Sequence, residues 1–137
     1  MEDEMAALRE AGADVLVSML TPSEATELGL AQEARAARAA GLQFVALPTP
    51  DRGVPEIAPL RALVRLLADE LESSKHVVVH CRMGIGRSSM VAAAVLMARG
   101  LPEDDAWAAV GRARGLEVPD TTEQRSWALA AVADSSP

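Results

Sequence analysis

The residues best placed for chemistry form one run, His80-Cys81-Arg82-Met83-Gly84-Ile85-Gly86-Arg87-Ser88. An apolar segment, His76-Val77-Val78-Val79-His80, precedes it and reads as a buried strand, while the residues from Ser88 to Arg99 read as a helix closed by Gly100. A tight turn between a strand end and a helix N-terminus collects unpaired backbone N–H groups at the positive end of the helix dipole. Gly84 and Gly86 let the backbone bend so that several of these N–H groups point inward as an anion nest, spanned by Arg82, Met83, Gly84, Ile85, Gly86 and Arg87. Cys81 sits at the edge of the nest, where those donors and Arg87 favour its thiolate and make it a nucleophile. Arg87, six residues on, can fold over the loop and grip two oxygens of a tetrahedral anion. A nucleotide-binding loop would end in Gly-Lys-Ser/Thr behind an opening glycine. Here the ending is Gly86-Arg87-Ser88 and the opening position is Cys81.

Other elements must hold this loop. Met5 to Ala11 reads as a short helix stopped by Gly12, and Asp14 to Met19 as a buried strand. Thr21-Pro22-Ser23-Glu24 is a helix start with a capping-box glutamate, and the helix is expected to run to Ala40 before Gly41. Gln43 to Leu47 is a second strand, and Pro48 to Pro55, with three prolines and Gly53, must be a loop. Leu60, Leu63, Val64, Leu67 and Leu71 repeat at helical spacing between Glu56 and Leu71. Helices are expected from Pro102 to Arg114 and from Thr122 to Val132, with a loop through Pro119 and Asp120 between them and a frayed tail over 134–137. The fold class is α/β: a central, mostly parallel sheet flanked by helices, with a helical C-terminal half.

The chain has 137 residues and one cysteine, so it reads as one domain, 1–137, with neither an internal disulfide nor an all-cysteine metal site. No metal and no cofactor are expected. The net charge of −7 argues against binding nucleic acid or an anionic membrane. Lys75 is the single lysine. The excess of arginine suits bidentate oxyanion recognition, and an arginine-rich codon bias gives the same count. An acidic start and the lack of a long apolar run point to a cytoplasmic protein. Oligomeric state is left open.

His80-Cys81, five further residues and then Arg87-Ser88 resemble the signature of the protein tyrosine phosphatase superfamily, and the short chain resembles its dual-specificity branch, particularly small bacterial and atypical members. The resemblance extends from about Leu8 to Leu129. It implies a phosphocysteine intermediate on Cys81, with Arg87 binding substrate and transition state. It also implies that the Ser88 hydroxyl stabilises the departing thiolate and that His80 tunes the cysteine. Such a reaction needs a proton donor for the leaving oxygen. Asp51, thirty residues before Cys81 in the proline-bounded loop, is the best candidate, with an ordinary turn aspartate as the lesser alternative. Asp120-Thr121-Thr122-Glu123-Gln124 resembles the family's loop near the attacking water and equally reads as a helix start, which leaves Gln124 a supporting residue. Trp107 and Trp127 read as core packing. The family fold usually begins with a further strand or hairpin before the helix at Met5, so the N-terminus looks shortened, and the sheet is expected to be smaller or its edge filled by a partner.

The expected function is hydrolysis of a phosphomonoester, with a phosphorylated protein or a small phosphoester as partner. Phosphoinositide hydrolysis is an alternative, weakened because Arg82 is the only cation between Cys81 and Arg87. A non-hydrolytic phosphate-binding module or a sulfur carrier is the other; sulfur transfer has no use for Asp51.

Overall fold

A computed structural model of the chain describes residues 2–82, 86–115 and 121–133. The sheet consists of β1 (Val15–Ser18), β2 (Gln43–Ala46) and β3 (Val77–His80), all parallel, in the order β2-β1-β3. Its valine-rich strands suit a parallel sheet covered on both faces. The central strand is buried along its whole length. Ser18 is paired with Ala46 on one side and with His80 on the other, so the three strands end level on one rim. Among the described residues β3 is an edge strand.

Two layers of helix cover the sheet. On one face Val15 and Val17 pack with Leu60 and Leu67 of α4 (Ile57–Glu72), Met90 and Val91 of α5 (Arg87–Ala98) and Ala128 of α7 (Thr122–Ala133). Trp107 of α6 (Glu103–Arg114) joins this core, as expected. On the other face Leu16 packs with Met5 of α1 (Glu2–Glu10) and Ala37 of α3 (Glu33–Ala39). Four buried residues of α4, Leu60, Leu63, Val64 and Leu67, follow the apolar spacing of the sequence.

The single helix expected from Thr21 to Ala40 is two helices, α2 (Pro22–Glu27) and α3. Gly29 breaks it: its φ is +72°, and the Leu30 N–H reaches back to the Ala25 carbonyl at 2.7 Å in a Schellman-type stop. The break shortens α2 to under two turns and leaves its first turn beside the rim of the sheet. No helix among the described residues is long and apolar enough to cross a membrane. The Pro119–Asp120 loop and the 134–137 tail lie outside the described residues.

Candidate active site

Each strand delivers one segment to the shared rim. After β1 comes the start of α2, where the Thr21 side chain accepts from the Glu24 N–H and Glu24 Oε1 accepts from the Thr21 N–H at 3.0 Å. After β2 comes the proline-rich loop, anchored where the Thr49 N–H donates to the Met19 carbonyl at 3.1 Å. After β3 comes Cys81, followed by Arg87 and Ser88 at the start of α5. Met83, Gly84 and Ile85 lie outside the described residues; Gly86 caps α5.

The Cys81 Sγ and Ser88 Oγ are in hydrogen-bond contact at 3.3 Å. Arg87 is 2% exposed, and among the described residues it is the largest side chain buried so completely. Its Nη1 donates to Glu24 Oε1 at 2.6 Å and its Nη2 to Glu24 Oε2 at 2.9 Å. Nη1 also donates to the Thr49 carbonyl at 2.9 Å. Asp51 Oδ1 lies 3.5 Å from Nη2, while the Asp51 side chain stays mostly exposed. The rim therefore gathers a thiol with a hydroxyl partner, a fixed guanidinium and an accessible carboxyl group. These are the groups of an acid-assisted transfer of a tetrahedral anion to sulfur.

The model of the family described as "Tc-R-P: Polymorphic toxin system, DSP-PTPase phosphatase" matches residues 1–101. The chain belongs to this phosphatase family. It is also similar to rat cyclin-dependent kinase inhibitor 3, 38% identical over 50 residues that make up 36% of this chain and 24% of the relative. The matched stretch thus spans about a quarter of the length of that curated relative. Among solved structures, Tk-PTP in its active form superposes with a TM-score of 0.82 and 27% identity, covering 98% of this chain and 87% of the other. Kinase-associated phosphatase carrying a serine for its catalytic cysteine superposes with a TM-score of 0.84 at 20% identity, covering 98% and 79%. The phosphatase is thus a small, dual-specificity-like member of the protein tyrosine phosphatases.

The electrostatics of the phosphatase site centre on Glu24. The hydrogen bond from Arg87 is the chief cause that holds the Glu24 carboxyl down to about 2, against the opposing pull of burial. For Arg87, burial works against the charge, but the hydrogen bond and charge of Glu24 outweigh it and raise its pKa. In the sequence Glu24 reads only as a capping-box residue. The box occupies one edge of the carboxylate, and the same two oxygens face Arg87 from across the sheet rim. The available signal was position: Glu24 lies one turn into the helix that follows the strand beside that of Cys81.

His80 neighbours Cys81 in the chain but lies on the other side of the sheet. Its imidazole faces the side of the sheet carrying α1 and α3, with Nε2 2.5 Å from Glu33 Oε2. Cys81 packs with the opposite core. Alternation along β3 separates the two side chains. Arg82 is turned toward α2, its Nη1 3.1 Å from Glu27 Oε2. Gln124 is fully buried; its N–H donates to Thr121 Oγ1 at 3.1 Å, which makes it part of a helix start, and its Nε2 donates to the Gly53 carbonyl at 3.1 Å.

Proposed function

We propose that this phosphatase hydrolyses phosphomonoesters in two steps through Cys81. The Cys81 sulfur attacks phosphorus and the ester P–O bond breaks. Asp51 gives its proton to the leaving oxygen, and the phosphoryl group is left on sulfur. Asp51, now a carboxylate, takes a proton from a water that attacks the phosphocysteine; inorganic phosphate departs and the Cys81 thiolate is restored. Arg87 binds two non-bridging oxygens in both steps, helped by the N–H groups of Arg82, Met83, Gly84, Ile85 and Gly86. Ser88 donates to the thiolate as it leaves phosphorus. The observation that carries this reading is that one buried guanidinium, Arg87, lies 3.5 Å from Asp51, while the next residue, Ser88, touches the Cys81 sulfur.

The substrate class we infer is a phosphorylated protein or small phosphoester, within the range expected of a dual-specificity enzyme. A phosphoinositide has less support, because Arg82, the extra cation of the loop, is drawn toward Glu27. Membership in a family described as part of a polymorphic toxin system suggests that the 1–137 chain is the phosphatase module of such a system, working in a reducing cytoplasm. Turnover should be measured on phosphotyrosine peptides, phosphoserine peptides and phosphoinositides, with Cys81→Ser as control. Hydrolysis of the peptides that disappears in Cys81→Ser supports the reading, and turnover that survives the substitution rejects it.

A further inference from the structure

The loop that carries Asp51 is poorly tethered by its own backbone. Pro48, Pro50 and Pro55 have no N–H to donate. Past Thr49, the Gly53 N–H closes a four-residue turn on the Pro50 carbonyl at 2.9 Å, with Asp51 and Arg52 as its central residues. Arg52 takes φ +62° in that turn, a left-handed conformation that glycine would enter without strain. The turn is tight, since a Cβ on Gly53 would lie 3.1 Å from the Pro50 carbonyl oxygen. A strained turn persists only when its surroundings hold it.

The holding comes from α7, distant in sequence. Gln124 donates its Nε2 to the Gly53 carbonyl at 3.1 Å, and one turn along the helix Trp127 donates its indole Nε1 to the Pro55 carbonyl at 2.7 Å. Residues three apart share a helix face, so the two donors grip the loop just after the acid. In the sequence Trp127 reads as a packing residue. Its ring is indeed only partly buried against the core, but its one polar atom is spent on the acid loop.

We propose that Trp127 is a positioning residue for proton transfer: its indole N–H fixes the Pro50–Pro55 loop so that Asp51 faces the leaving oxygen above Arg87. This rests on the reading of Asp51 as general acid. A positioned acid matters most when the leaving group is poor and little when it leaves unaided.

The test is kcat/KM across aryl phosphates, from nitrophenyl-type leaving groups to phenyl phosphate, for wild type, Trp127→Phe and Asp51→Asn, with vanadate inhibition measured in parallel. Asp51→Asn should lose about a hundredfold or more on phenyl phosphate and far less on the best leaving group. Trp127→Phe should show the same gradient, shallower, with a loss of about five- to tenfold on phenyl phosphate and unchanged vanadate inhibition. If the phenylalanine variant folds badly, a benzothiophene isostere of tryptophan, which lacks only the N–H, replaces it with the same expectation. A flat loss across the series, or none, in the tryptophan variants while Asp51→Asn keeps its gradient overturns the positioning role alone. A flat profile for Asp51→Asn overturns the acid assignment on which it rests.

Discussion

Glu24 and Arg87 are joined by two charge-assisted hydrogen bonds, 2.6 and 2.9 Å, between two buried side chains sixty-three residues apart. The pair fixes the plane of the guanidinium before any substrate arrives. A buried pair of this kind costs desolvation for both ions, so its value lies in geometry rather than in net stability. Breaking one side is another matter. Glu24→Gln should destabilise the fold by roughly 3–5 kcal/mol, because it strands a buried guanidinium. Urea unfolding measures the loss, and kcat/KM on an aryl phosphate should fall with it. A variant as stable and as active as wild type contradicts the role given to Glu24.

The same pair sets an acid limit on stability. Glu24 is held at about 2, below its ordinary 4.5, by the Arg87 hydrogen bond. A carboxyl depressed in the folded state contributes stability that is complete above its unfolded pKa and is lost as pH falls through the folded one. The contribution is therefore expected to be whole above about pH 4.5 and to drain away toward pH 2. Unfolding free energy measured over that window should fall more steeply for wild type than for Glu24→Gln. Parallel curves would remove Glu24 as the cause.

Ser88 touches the sulfur at 3.3 Å. In the proposed two-step reaction its hydroxyl acts when Cys81 is the leaving group, so Ser88→Ala should slow the second step more than the first. Rapid mixing with a nitrophenyl phosphate should reveal a burst of phenol close to one per enzyme, followed by a steady rate about tenfold below wild type. A slowed first step without a burst is the opposite result.

Arg52 stores strain at φ +62°. Arg52→Gly removes the steric cost of the left-handed turn and should raise stability by about 1 kcal/mol, less the glycine's added freedom in the unfolded chain. Thermal denaturation decides it, and a fall in midpoint would mean that the arginine side chain stabilises the loop more than its backbone strains it.

Much of this was legible in the sequence because it is local. Apolar runs placed all three strands within a residue or two of β1, β2 and β3, and the spacing of Leu60, Leu63, Val64 and Leu67 marked the buried face of α4. The sequence also singled out Cys81, Arg87, Ser88 and Asp51 from two short segments, and the fold brings these four to one rim. What was not legible depends on chain segments meeting in space. Gly29 lies inside an alanine-rich stretch that suits one continuous helix, and only its left-handed backbone divides it. Glu24, Glu33 and Trp127 find their partners across the sheet or from the far end of the chain, and nothing in their immediate neighbours announces those contacts.

The species that distinguishes the proposed reaction is a phosphoryl group on sulfur. Wild type and Asp51→Asn, mixed briefly with an aryl phosphate and quenched in acid, can be digested and read by mass spectrometry. A two-step reaction through Cys81 leaves one phosphoryl group on the peptide containing Cys81, absent from Cys81→Ser, which should no longer turn over substrate. Phosphate on another residue, or a Cys81→Ser protein that still hydrolyses the ester, would contradict it.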